Sequence, residues 1–295
     1  MSAPLSSGDS ATPVPDIPVR RRRGRRLNAS LVVGGVIVLG VIGMALLSFV
    51  WTPHDPTLVD PEVRLQSPSA DYWFGTDKFG RDVFSRIMVG SRITLFVGFV
   101  AVGVAAVIGV PLGIVAGMAP RWFGEPLMRG NDLLLAFPAL LLAIMFAAVY
   151  GASTLVAMVA IGIATIPSFA RLVRSGTLQV LRTEYAMAAR AAGRSPFAIG
   201  VRHVLPNVSS LVIVQASVGF AIAVLAEAAL SFLGYGTPPP TPSWGRMLQE
   251  SQELLFSAPL LAVFPGLAIA VAVLGFNLLG DGLRDHFDPK LQDRR

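Results

Sequence analysis

The chain has 295 residues, of which 53% are apolar and 14% charged, with a mean hydropathy of +0.64 and a formal net charge of +6. Soluble domains carry about 25% charged residues, so the charge deficit, gathered into long charge-free blocks, excludes an ordinary water-soluble enzyme. The positive charge does not point to nucleic acid, because most of the arginines border apolar blocks, and with no cysteine the chain has no disulfide, thiolate metal site or thiol nucleophile.

A helix rising 1.5 Å per residue needs about 20 residues to cross a hydrocarbon core. Residues 1–30 read as a basic tail. The first 19, rich in Ser, Pro and Ala, show no apolar periodicity, and the Arg20–Arg26 cluster follows. Leu31–Trp51 is the first predicted span, too long for a signal-peptide core and followed by no cleavage pattern. Residues 52–92 form a loop mixing Tyr72, Trp73, Phe74, Phe79 and Phe84 with Lys78, Arg81 and Arg86, a composition suited to anchoring at the membrane–water interface or to touching a partner. Ile93–Pro120 is the second span, with Gly109, Gly113 and Gly117 on one face as a packing seam. Leu133–Ala170 holds no charge and divides into two spans turning at Gly151, Ala152 and Ser153. Val204–Phe232, interrupted by Glu227, and Leu254–Gly280 complete six spans, with an intervening loop at 235–257 and a tail at 285–295. Pro111, Pro138, Pro167 and Pro265 are potential kinks. The expected fold is all-α and polytopic, with residues 93–284 as its core.

Basic residues favour cytoplasmic segments. With both termini inside, 18 of the 24 lysines and arginines lie on the inner side, and the Arg20–Arg26 cluster abuts anionic headgroups. The reverse orientation would carry that cluster across the membrane.

Several chemistries are missing. Lys78 and Lys290 are the only lysines and neither sits in a phosphate-binding G-x-x-x-x-G-K-[ST] loop, so ATP hydrolysis in that manner is excluded. His54, His203 and His286 form no metalloprotease motif, and no metal site is expected. Asp132 and Asp281 read as interfacial acids at span ends. Glu227 is the one acid within a span, open to three readings: a proton site, a substrate contact or gate, or a group fixed within the bundle. One acid is thin support for an ion-coupled transporter working alone, the rival class.

The segment Arg171–His203 is the longest inner loop. Residues Glu184–Ala192 are Ala-rich and predicted helical, with Glu184 at the positive helix start. Gly193 suits a left-handed helix end and Pro196 the first turn of a second short helix. Ala186, Ala189 and Gly193 fall on one face that a partner could approach, and Arg190 and Arg194 flank the turn.

The string Glu184-x3-Ala188-Ala189-x3-Gly193, with Leu205-Pro206 twelve residues on, resembles the signature loop of the membrane subunits of ABC importers. Four further segments resemble the C-type permease subunit of dipeptide and oligopeptide importers. They are Gly75-Thr76-Asp77-Lys-Phe-Gly80-Arg81-Asp82-Val-Phe-Ser85-Arg86, Asp132-x4-Phe137-Pro138, Leu230–Gly236 leading to Pro242-Ser-Trp244-Gly245, and Gly280–Pro289. Departures are the long tail before Arg20 and Ala192 where a Leu is common.

The resemblance implies a type I importer permease fold, with coupling helices in residues 171–207 that dock on an ATP-binding subunit. Glu184, Ala188, Ala189, Arg190, Gly193, Arg194 and Pro206 would make that contact. Asp77, Gly80, Arg81, Asp82 and Arg86 would form the family's outer motif. It implies a B-type permease partner, one or two ATP-binding subunits, an extracytoplasmic solute-binding protein and a bacterial inner-membrane location. ATP and Mg would be held by the partner subunits and no cofactor by this chain, which is then no enzyme itself. The favoured cargo is peptides. Nickel or another small solute carried by the same type of subunit is the alternative.

Overall fold

The computed structural model describes residues 28–287. The Ser/Pro/Ala-rich stretch, the Arg20–Arg26 cluster and the Asp288-Pro289 end of the last motif lie outside the described residues. Within them the fold is almost wholly helical, with a single isolated bridge between Thr76 and Asp82. In chain order the α-helices are α1 (Ala29–Ser48), α2 (Val83–Met118), α3 (Arg121–Ala136), α4 (Ala139–Tyr150), α5 (Thr154–Val180), α6 (Glu184–Ala191), α7 (Pro196–Ile199), α8 (Leu205–Phe232), α9 (Trp244–Ser251) and α10 (Leu260–Phe287). A π-turn, Gly200–Val204, fuses α7 to α8.

Five helical segments are long and apolar enough to cross a membrane, and the pair α3–α4, bent by 81°, makes a sixth candidate. Counted as one broken span, that pair completes the expected six, and the kink expected at Pro138 is present. Pro138 supplies no N–H and forces Phe137 out of the helical region, to φ −90° and ψ 128°, so α3 stops and α4 restarts in a new direction. On the α3 side of the bend, Arg171 Nη2 of α5 donates to Asp132 Oδ1 at 2.8 Å. Pro111, Pro167 and Pro265 leave their helices unbroken. The turn expected at Gly151–Ser153 is present, with Ser153 Oγ accepting the Val156 N–H at the start of α5.

Helix ends differ from those expected. Because Asp82 caps it, α2 begins ten residues early. Charged Arg171 and Arg174 do not end α5, which runs on to Val180, so much of the expected inner loop is helix. The expected loop 235–257 holds α9, and α10 starts only at Leu260.

At the centre, α2 and α5 pack along the glycine seam. A Cβ on Gly113 would stand 2.5 Å from the Ala170 carbonyl oxygen, and one on Gly109 2.7 Å from the Phe169 Cβ. Around Val97, Ala101, Met158, Ile161 and Leu230 the helices α2, α4, α5 and α8 share one core, and α1 lies along α10 with Gly34 against the Leu279 backbone. Gly113→Val is expected to lower the thermal midpoint of the purified protein, by an overpacking penalty of about 1–3 kcal/mol. Gly103→Val, at a position with nothing within 4 Å of its Cβ, should leave the midpoint nearly unchanged.

Candidate functional site

Two constructions stand at opposite ends of the bundle. At one end, α5 ends and α6 begins beneath it. Glu184 occupies the first turn of α6 and Arg190 the last, matching the helix dipole at each end. Gly193 takes φ +76°, and two reverse bonds close the helix: Gly193 N–H to the Arg190 carbonyl at 3.0 Å, and Arg194 N–H to the Ala189 carbonyl at 3.1 Å. The Ser195 hydroxyl then accepts the Ala198 N–H, and Pro196 opens α7. The helix–turn–helix expected from the sequence is thus formed as written.

One face of it differs from the expectation. Ala186 turns into the protein and Ala189 is half-buried, packed with Ile199 of α7 against a core that includes Val173 and Val180 of α5, Val204, and Val208 of α8. Val110, Ile114 and Met118 of α2 pack against the same core. The surface left open carries Glu184, Tyr185, Met187, Ala188, Arg190, Gly193 and Arg194 of the α6 segment, with Phe197 81% exposed on α7. No atom would lie within 4 Å of a Cβ on Gly193. Pro206 is also exposed, at the start of α8. The hairpin is therefore an open platform whose underside, through Ala189 and Ile199, packs against residues of α2, α5 and α8.

The opposite end is built by the segment before α2. Asp82 caps α2 by accepting the Ser85 N–H at 2.9 Å. Gly80 takes φ +77°, with Asp60 O only 1.8 Å from where a Cβ would stand, so no side chain fits. Asp77 and Glu250 each bridge both Arg81 and Arg86: Arg81 Nε donates to Asp77 Oδ2 at 2.7 Å and its Nη2 to Glu250 Oε2 at 2.7 Å. Arg86 Nη2 reaches Glu250 Oε2 at 2.9 Å, its Nη1 bonds Asp77, and Arg246 Nε meets Glu250 Oε1 at 3.3 Å. This ring corrects the interfacial reading of Arg81 and Arg86. Both side chains are buried in ion pairs, Arg86 at 2% exposure, because two carboxylates are available to satisfy them. Trp73 and Phe79 do remain exposed. Glu250 was not legible as a functional residue, since the only local signal was an i,i+4 pair with Arg246. Burial pushes its carboxyl up, and the charges of Arg86 and Arg81, with hydrogen bonds from Arg86 and Arg246, outweigh that and hold it below the usual carboxylate range. A carboxyl depressed on folding stabilises above its unfolded pKa and loses that contribution as pH falls through the folded value. The ring is accordingly expected to persist from neutral pH into mild acid and to open below the ordinary glutamate range.

Glu227 is 1% exposed and lies beside the same end. Its Oε1 accepts from Ser231 Oγ at 2.6 Å and Thr237 Oγ1 at 3.4 Å, while Thr237 N–H donates to Ser231 Oγ. Trp244, at the start of α9, donates its indole N–H to the Ile87 carbonyl of α2. Among the described residues no group of three or more His, Asp or Glu side chains could hold a metal ion.

A helical bundle of five or six candidate spans, with an open hairpin packed against three of its long helices, is the architecture of a polytopic membrane protein. Residues 109–293 match the family described as binding-protein-dependent transport system inner membrane component. Over 265 residues the chain is 45% identical to the dipeptide transport system permease protein DppC of Alkalihalophilus pseudofirmus, covering 90% of this chain and 87% of that one. It is 43% identical to the glutathione transport system permease protein GsiD of Pectobacterium atrosepticum, over 88% and 87% of the two chains. The fold is similar to a chain of the MetNI methionine ABC transporter in inward-facing conformations, with a TM-score of 0.59 at 19% identity, covering 69% of this chain and 97% of that one. The chain belongs to the inner membrane permease family of binding-protein-dependent ABC importers.

Proposed function

We propose that this chain is the C-type permease of a dipeptide or oligopeptide importer, that it encloses the path with a B-type permease, and that the α6–α7 platform docks on an ATP-binding subunit. The observation that carries the coupling role is the platform itself: an exposed turn at Gly193, reverse-capped and rigid, joined underneath to α2, α5 and α8. Glu184, Ala188, Arg190, Gly193 and Arg194 face the partner in this reading, Ala189 and Pro206 shape the platform, and nucleotide and Mg stay with the other chain. The α6 end is then cytoplasmic, as are both termini. Asp77, Gly80, Arg81, Asp82, Arg86 and Glu250 stand at the extracytoplasmic face, where a solute-binding protein delivers its cargo. Peptide cargo is supported by the dipeptide permease relative and by the glutathione permease relative, glutathione being itself a small peptide.

Of the three readings of Glu227, the geometry favours a tie holding the loop after α8 rather than a gate. Glu227→Gln should keep uptake within about twofold. Glu227→Leu, which leaves the Ser231 and Thr237 hydroxyls without their acceptor, should lower the thermal midpoint by a penalty of about 1–3 kcal/mol. The transport reading is tested in vesicles. Uptake of labelled dipeptide should require ATP and persist when proton and sodium gradients are collapsed, and uptake that follows the gradient without ATP would refute it.

A further inference from the structure

The exposed faces of α1 and α2 are apolar, with Val32, Val36, Leu39 and Leu46 on one and Phe96, Phe99, Val107 and Val115 on the other, as contact with lipid requires. The open face of α5 in its half nearer α6 is different. Ser168, Arg171, Ser175 and Gln179 are exposed there and Thr165 is half-buried, at helical spacing on one stripe. Measured from Thr154, Thr165 and Ser168 lie about 17 and 21 Å along the helix, within the roughly 30 Å hydrocarbon core rather than at its edge. α8 lays Leu211 against Gly176 and Gly219 near Phe169, so Gln215, between them, is level with Leu172 beside the same stripe. Thr165 bonds its own helix at the Ile161 carbonyl. Polar side chains open to lipid at this depth are costly, and intramembrane polar groups face the bundle interior or water.

We propose that Thr165 and Ser168 of α5, with Gln215 of α8, form this chain's wall of the translocation path, and that the wall takes a hydrated solute rather than lipid or a packed helix. Water supplies partners to every group of the stripe, whereas a packed partner helix would have to match each in register. The Arg171–Asp132 pair, half-exposed on both sides, gives the stripe a wet mouth at the α6 end and cancels its own charge. What remains is a lining of hydroxyls and a carboxamide. Such a lining hydrogen-bonds the amide groups common to all peptides and does not select on the charge of their side chains. The assignment rests on the permease reading but not on the docking of α6.

The absence of cysteine makes the test direct. Single variants Ser168→Cys and Gln215→Cys, with Leu39→Cys and Phe99→Cys as lipid-facing references, are assembled into the full complex in inverted membrane vesicles. They are treated with 2-sulfonatoethyl methanethiosulfonate, and modification of this chain is read as a mass shift. The expected result is modification of both stripe positions at least about tenfold faster than the references in nucleotide-free complex. Rates equal to the references would overturn the proposal. So would oxidative cross-linking of Ser168→Cys or Gln215→Cys to the second permease without modification by the reagent, since that marks a packed interface. Loss of α6 docking alone would leave fast modification in place, so the two readings fail separately.

Discussion

Replacing Gly193 by glutamate is expected to reduce peptide uptake to below a tenth of the wild-type rate while leaving the chain inserted and assembled with its partner permease. Two effects coincide at this position. A non-glycine residue at φ +76° costs on the order of 1 kcal/mol of local strain, enough to loosen the reverse-capped turn but not to unfold a helical membrane protein. The larger effect is at the surface, where a Cβ on Gly193 meets nothing within 4 Å of this chain, so any added side chain projects into open space, which the proposed docking on an ATP-binding subunit would fill. Gly193→Asn separates the two. Asparagine tolerates the left-handed conformation, so a variant that keeps its thermal midpoint and still loses transport locates the defect at the docking surface. Substrate-stimulated ATP hydrolysis by the complex should fall with uptake in both variants. Near-normal uptake by Gly193→Glu would remove the coupling role from this turn.

Arg86→Ala, in the first turn of α2, is expected to be the most destabilising single substitution in the ion-pair ring. Removing one partner from a buried charge pair leaves uncompensated charge and typically costs about 3–5 kcal/mol. Here Asp77 and Glu250 would both lose a guanidinium, leaving Arg81 to serve two carboxylates with help only from Arg246. Assembled complex and thermal midpoint should both drop. Arg86→Met combined with Glu250→Leu should recover part of the loss, because removing both buried charges removes the desolvation cost with them. A single Arg86→Ala variant as stable as wild type would show that the ring contributes little.

The parts of the fold legible in the sequence are those governed by local chemistry. The charge-free blocks gave the span count, Gly151 and Ser153 marked the hairpin before α5, and Gly193 and Pro196 delimited α6 and α7 because each residue suits one backbone conformation. The seam of Gly109, Gly113 and Gly117 was likewise readable, since three small residues on one face invite a second helix. What could not be read depends on residues far apart. Pro138 announces a kink, but neither its 81° angle nor the meeting of Asp132 on α3 with Arg171 on α5. Arg81 and Arg86 resemble interfacial cations until Glu250, more than 160 residues later, folds back to meet them. The half-burial of Ala189 follows from its packing against valines of α5 and α8 that no local pattern connects to it.

On the proposed docking, the α6–α7 platform is where this permease receives the work of ATP, and it must then lie against the ATP-binding subunit. With no native cysteine to remove, Ala188→Cys can carry a short photoactivatable cross-linker on the exposed side of α6 in the assembled complex. Illumination should yield an adduct between this chain and the ATP-binding subunit as the main product, with a yield that changes when ATP is added. Adducts formed only with lipid or with the second permease, unchanged by ATP, would contradict the claim.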